Sequence, residues 1–247
     1  MFNLLKYELR KTLGLKGIIA AIVGICEIAF LIGLYAENDD VLGFGMGGLM
    51  MGSFTAVIII GAYSVKLLSK DLNTKQAYML FMTPNNSYKI LGAKVIENYV
   101  SVILASACFT GLAFLDGTLA MAKYSSLQDM VEFLQMMFEE LKDVTPESVI
   151  SVIAVLVSFW LFVIGSAFFS VVVSSTFLNG KKHNGLISFV LFLFVVNLLG
   201  KLAEVVMDAI GHVAFTTSNM IEVVIFLVLS AVMYVATAWI MDNKLSV

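Results

Sequence analysis

The sequence predicts an all-α polytopic membrane protein with six transmembrane helices, and three observations carry that prediction. The 247 residues are 60% hydrophobic and 13% charged, with two prolines, a composition far from that of soluble domains of this length. Uncharged runs recur that are long enough for a helical pass, which needs roughly 20 predominantly apolar residues. Lysine and arginine gather in alternate connections between those runs. A water-soluble globular enzyme is a poor fit to all three.

The uncharged runs are residues 41–65, 98–115, 148–180, 183–200 and 223–241, and residues 17–36 are interrupted only by Glu27. Each is read as a helix, because a helix satisfies its backbone N–H and C=O groups within its own segment and an open strand edge in lipid would not. The expected spans are 17–36, 44–68, 90–115, 147–173, 184–201 and 220–241, within one permease-like domain covering 1–247. At 1.5 Å per residue the run 148–180 would reach about 50 Å, against a hydrocarbon core of roughly 30 Å. Its end, 174–180, is therefore expected outside the lipid.

Twelve of the fifteen basic residues lie at the N-terminus (Lys6, Arg10, Lys11, Lys16), between Lys66 and Lys94, at Lys181 and Lys182, and at Lys244. These are alternate connections, so the positive-inside rule assigns them, and both termini, to the cytoplasm. The opposite side carries the acidic segment 117–146, in which Asp129, Glu132, Glu139, Glu140, Asp143 and Glu147 border or outnumber two lysines. The apolar stretch after Lys16 is as long as a full span and lacks a small-residue cleavage site, so it is read as a retained span and not a signal peptide.

Two further helices are expected. In residues 1–16, Phe2, Leu5, Leu9 and Leu13 form a stripe flanked by Lys6 and Arg10, which suits an interfacial helix on the inner leaflet. The alternative is that 1–16 extend the first span as a basic flank. In 117–146, between spans three and four, Leu127, Met130, Val131, Leu134, Met137, Phe138 and Leu141 align on one helical face, which predicts an extracytoplasmic amphipathic helix. Thr145 followed by Pro146 reads as a cap and first turn of the next helix.

Chemistry-bearing motifs are few. The string GFGMGG at 43–48 matches a dinucleotide fingerprint in letters only, since no strand precedes it. Gly43 with Gly47, and Gly48 with Gly52, instead have the small-xxx-small spacing of closely packed membrane helices. NGKKHNG at 179–185 lacks the first glycine and the Ser/Thr of a phosphate loop, so no ATP site is encoded. His183 and His212 stand alone, Cys26 and Cys108 sit in apolar stretches, and no metal-type or triad-type arrangement can be assembled. Glu27 lies near the middle of the first span, where an ionised carboxylate costs on the order of 3 kcal/mol. It is either a polar site on a transport route or a protonated acid bonded to a neighbouring helix. Glu97, one turn from Lys94, and Glu222 are expected to snorkel or pair locally.

The longest predicted cytoplasmic connection, 69–89, holds Lys75, Gln76, Ala77, Tyr78 and Phe81 in a short helical stretch, then Pro84, with Ser87 or Asn86 capping the third span. An exposed turn carrying two aromatics has the make-up of a protein contact. In this segment the chain resembles permease subunits of the type-2 ABC exporter family, whose corresponding connection carries a basic residue, a Tyr or Thr, a Leu-Pro-x-Ser-like turn and a following lysine. Lys75, Tyr78, Pro84, Ser87 and Lys94 match it; Thr83 stands where the family has Leu, and Asn85-Asn86 lengthens the turn. The C-terminal MDNKLSV is also similar to the family's short basic tail.

The resemblance implies a bacterial plasma-membrane exporter in which two permease subunits, identical or merely similar, pair. Cytosolic ATPase subunits would dock on residues 75–81 and hold ATP and magnesium, while this chain binds no cofactor, is not itself an enzyme and does not engage nucleic acid. It also implies a segment that re-enters the membrane between spans five and six, here 201–219. Glu27, Gly43, Gly47, Gly48 and Gly52 are the candidate lining of the path for an amphipathic solute such as a peptide, antibiotic or lipid. Two other classes stay open: an ion-coupled secondary carrier, which needs coupling carboxylates, and a non-transporting membrane scaffold or sensor.

Overall fold

The computed structural model describes residues 2–73, 86–124, 135, 145–178, 184–211 and 213–244. They form six helices: α1 (Phe2–Ala36), α2 (Asp39–Asn73), α3 (Ser87–Tyr124), α4 (Pro146–Leu178), α5 (Asn184–Ile210) and α6 (Phe215–Lys244). All six are long and apolar enough to cross a membrane, as the uncharged runs predict, and no strand occurs among the described residues. The surface is what lipid requires. Ile18, Ile22, Ile25 and Ile32 of α1, and Ile150, Ile153 and Leu156 of α4, are exposed, whereas Ser151, Ser158, Ser166, Ser170 and Ser174 are buried. Small residues inside let helices pack closely where no hydrophobic force drives them together.

The helices are longer than the expected spans because a helix does not stop where polarity begins. α2 runs on through Lys66, Lys70 and Asp71, and α3 through Asp116 and Lys123. α4 continues through 174–178. α5 continues through Lys201, Glu204 and Asp208 to Ile210, and α6 opens at Phe215. Of residues 201–219, where a re-entrant segment is expected, 201–210 complete α5 and 215–219 begin α6. Gly211, at φ 78°, ends α5 by donating its N–H to Met207 O at 3.2 Å, a left-handed cap that suits glycine.

Residues 2–16, where an interfacial helix is expected, are continuous with the first span. α1 is unbroken from Phe2 to Ala36; in its first turns Glu8 and Thr12 are buried while Lys6 and Arg10 are exposed. The loop helix expected within 117–146 lies outside the described residues, apart from 117–124, which complete α3, and Gln135, which is helical and exposed.

Two helix starts follow their sequence signals. Ser148 N–H reaches Thr145 Oγ1 at 3.3 Å, capping α4 ahead of Pro146. At α3 the cap is Asn86 and not Ser87: Asn86 O accepts from Lys89 N at 2.8 Å and its Oδ1 from Tyr88 N at 3.4 Å. Between α1 and α2, Asn38 N–H bonds Gly33 O at 3.1 Å while Asn38 Oδ1 accepts from Val41 N at 3.2 Å. One residue thus closes one helix and caps the next.

That turn places Glu37 at φ 53°, a conformation costing a non-glycine residue about 1 kcal/mol or more. Its ion pair with Lys123, at 3.4 Å with Glu37 74% exposed, offsets little of that. Glu37→Gly is expected to stabilise the protein by about 1 kcal/mol, read as a higher midpoint of thermal unfolding in detergent.

The chain divides into two compact units, one of residues 1–5, 63–96 and 144–247, the other of 6–62 and 97–143. In the first, α4 packs on α5 and α6, and its core joins Leu68 and Leu91 to Phe168, Val172, Ala238 and Met241. Tyr234 Oη donates to Tyr88 O at 2.6 Å and the two rings meet edge to face. In the second, α1 and α2 meet through glycines. A Cβ on Gly33 would overlap the backbone of Leu42, one on Gly45 would lie 2.5 Å from Phe30 N and Cα, and one on Gly48 would lie 2.8 Å from Cys26 Sγ.

Candidate functional site

The second unit holds the arrangement with most chemical content. Glu27 lies nine residues before the end of α1 and Asp116 eight before the end of α3, so each is about 12–14 Å along its helix from that end. Their carboxyl groups lie close enough to interact. Glu27 Oε2 and Asp116 Oδ1 are buried and have no hydrogen-bond partner among the described residues.

Beside the pair, α1, α2 and α3 line an open-sided cavity of about 310 Å³, with Phe30, Met46, Met50, Phe109, Leu112 and Asp116 among its lining residues. Gly45 sets its shape. By letting the α2 backbone close onto Phe30, it brings the next turn of α2, with Met46, Leu49 and Met50, over the ring of residues supplied by α1 and α3. At the adjoining helix ends, Lys123 Nζ donates to Tyr35 O at 3.3 Å and sits 5.6 Å from the centre of the Tyr35 ring.

Two further polar sites occur, one in each unit. In the first unit, Lys94 Nζ meets Asp71 Oδ2 at 2.6 Å, with side-chain exposures of 2% and 6%. In the second, Glu97 Oε1 accepts from Thr12 at 2.7 Å, Lys16 at 2.8 Å and Ser101 at 2.9 Å. Lys94 thus finds a partner on α2, and Glu97 finds Thr12 and Lys16 on α1 as well as Ser101 on its own helix. A third polar region, in the first unit, is a cleft of about 450 Å³ where Glu204 and Asp208 of α5 and Glu222 of α6 face Phe159, Phe162 and Phe226. Three acids and three phenyl rings here have no buried donor among them, and no group of metal-ligating residues occurs among the described residues.

The expected site residues fall into three groups. Lys75, Gln76, Ala77, Tyr78, Phe81 and Pro84 lie outside the described residues; Ser87 is described and is buried at the start of α3. Glu27 is brought into the carboxyl pair. Of the glycines, Gly48 makes the close helix contact, while Gly43, Gly47 and Gly52 would have open space at a Cβ; the other contact glycines are Gly33 and Gly45. The spacing is right for small-residue packing but the face is different, because the rotation of α2 about its axis decides which glycines meet α1. Sequence reasoning missed Asp116 by ending the third span at 115, and missed Asp71 by treating its surroundings as a basic connection. The signal for both was present: an acid at the margin of an apolar run with an opposite or shareable charge elsewhere in the spans.

No known protein family, curated protein or solved structure is significantly similar to this chain. Its functional reading therefore rests on its own residues.

Proposed function

We propose that this chain is the membrane-spanning subunit of an ATP-driven exporter of the type-2 ABC kind, carrying an amphipathic solute across the bacterial plasma membrane. The observation that carries the transport reading is the Glu27–Asp116 pair beside an apolar cavity inside a bundle of spanning helices. A charge at membrane depth is expensive, and it marks a route for substrate or ion more often than a structural contact. Such sites are concave, mostly apolar and supplied with few polar groups.

The energy source is inferred from the sequence. The chain encodes no phosphate loop, while the residues around Lys75–Ser87 resemble the family's ATPase-docking connection. On this reading Lys75, Gln76, Ala77, Tyr78 and Phe81 engage a cytosolic subunit that holds ATP and magnesium and hydrolyses the nucleotide. A second permease subunit completes the path, and both termini are cytoplasmic. Glu27 and the cavity take up the solute as the helices rearrange.

The test is purification of the tagged chain from its own membranes in mild detergent. A partner carrying G-x-x-x-x-G-K-[ST], with magnesium-dependent ATPase activity that is lost on Tyr78→Ala or Lys75→Glu, is the expected result. A folded chain that carries no such partner and no ATPase activity contradicts the proposal.

One observation favours a second reading. An ion-coupled carrier needs coupling carboxylates, and Asp116 supplies the mate that Glu27 alone lacks. In vesicles, uptake driven by a proton gradient without ATP and abolished by Glu27→Gln would select the carrier; ATP-dependent transport would select the exporter.

A further inference from the structure

We infer that α5 is a self-association face, on which a second, identical copy of this chain docks through Asn197 and an exchanged pair of Lys201–Glu204 contacts. Asn197 lies midway along the span Gly185–Ile210, about 18–20 Å from either end, which puts it near the centre of a hydrocarbon layer of roughly 30 Å. Its side chain is exposed. Nδ2 donates to Leu193 O of its own helix at 2.9 Å, and Oδ1 accepts from nothing among the described residues. An amide acceptor turned to lipid has no water to bond, and polar side chains on membrane helices meet that need across to another helix.

The same face continues toward the end of α5. At about 100° per residue, Lys201, Glu204 and Asp208 fall with Asn197 inside a stripe about 60° wide, and all of them are exposed. Glu204 and Asp208 also reach the rim of the cleft against α4 and α6, whereas Asn197 and Lys201 are outside it. Lys201 and Glu204 are three residues apart, yet among the described residues neither takes part in an ion pair. The stripe is therefore a run of polar groups that its own bundle leaves unanswered.

The stripe is complementary to itself, and that selects the occupant. Two copies inserted the same way are related by a two-fold axis along the membrane normal, so their α5 helices run parallel and equal residues lie at equal depth. An amide is both donor and acceptor, so Asn197 bonds Asn197 of the second copy across the axis. Lys201 and Glu204 differ by about 4.5 Å in height, a step that a lysine side chain spans. Each lysine then meets the glutamate of the other copy, and the contact forms twice. A lipid acyl chain satisfies none of these groups. This assignment rests on the reading of the chain as a permease, for which it makes the paired subunit an identical one joined through α5.

The experiment is disulfide cross-linking of the full chain in its own membranes, with Cys26 and Cys108 replaced by alanine. Val190→Cys falls on the stripe, about two turns before Asn197, and Leu202→Cys lies about 140° around the helix from it; both positions are exposed. Oxidation should link Val190→Cys into a dimer of the chain and leave Leu202→Cys monomeric. Adding Asn197→Leu should lower the yield of the Val190→Cys dimer at least about threefold. Lys201→Glu and Glu204→Lys should each lower it, and the two together should restore it, because the exchanged pair is rebuilt with its signs reversed. Two differently tagged copies without these substitutions should co-purify in mild detergent.

The inference is overturned if the tagged copies do not co-purify, if Val190→Cys gives no dimer or links to a different polypeptide, or if Leu202→Cys links as well. Asn197→Leu without effect on the dimer, or a double charge reversal that restores nothing, overturns it equally. Cross-linking needs neither nucleotide nor ATPase. A dimer through α5 with no ATP-hydrolysing partner would therefore contradict the exporter reading alone, and such a partner with no α5 dimer would contradict this inference alone.

Discussion

Lys94→Met is expected to lower stability by about 3–5 kcal/mol, the usual consequence of leaving one member of a buried ion pair without the other. Lys94 Nζ and Asp71 Oδ2 are 2.6 Å apart, with side chains 2% and 6% exposed, so water screens neither charge. The neighbours of the pair are the start of α3, with Ile90, Leu91 and Ala93 buried, and the end of α2, with Leu67 and Leu68 buried. An Asp71 carboxylate deprived of Lys94 there would have to be neutralised or drag water into that packing. Replacing both members, as Lys94→Met with Asp71→Leu, should recover most of the loss, because an apolar pair carries no desolvation penalty. Denaturation of the detergent-solubilised protein, followed by the fluorescence of Trp160 and Trp239, measures both variants. Equal stability of wild type and Lys94→Met would mean that the charges are solvated in the membrane-bound protein.

Gly45→Val is expected to destabilise the protein by about 3 kcal/mol or more. The added Cβ would fall 2.5 Å from the N and Cα atoms of Phe30. Both are backbone atoms and cannot turn aside, so α2 must move away from α1. Phe30, 1% exposed, then loses its cover, and the turn carrying Met46 and Met50 retreats from the cavity. Gly43→Val is the control two residues away: its Cβ would meet nothing among the described residues, and the higher helix propensity of valine makes a neutral or slightly favourable result the expectation. Thermal unfolding of the two variants side by side reads the difference. Similar stabilities would show that α1 and α2 do not approach at Gly45.

The existence of each helix was legible because spanning length and lack of charge are one-dimensional properties. Where the helices end was not, since the backbone hydrogen bonding that continues α2 through Lys66 and Asp71, or α3 through Asp116 and Lys123, is indifferent to side-chain charge. That same error hid half of the candidate site. Glu27 stood out inside an apolar run, but Asp116 looked like the first residue of a loop, and only the third dimension brings it to Glu27. The N-terminal stripe of Phe2, Leu5, Leu9 and Leu13 was real as a pattern; what the pattern could not tell is that Glu8 and Thr12 are the residues that become buried. Among the glycines, a spacing of four was the expected signature, whereas the contacts on α2 fall at Gly45 and Gly48, three apart. Both spacings place residues on one face, and helix rotation chooses between them.

The account depends on the helices crossing the membrane alternately, with the basic ends on the side where ATP is available. Single cysteines at Asn86, Asn243, Glu37 and Thr145, all exposed, in a background where Cys26 and Cys108 are replaced by alanine, test it by labelling intact cells with a membrane-impermeant maleimide. Labelling at 37 and 145, with protection at 86 and 243 until the cells are opened, is the predicted result. Labelling of position 86 or 243 in intact cells would contradict it.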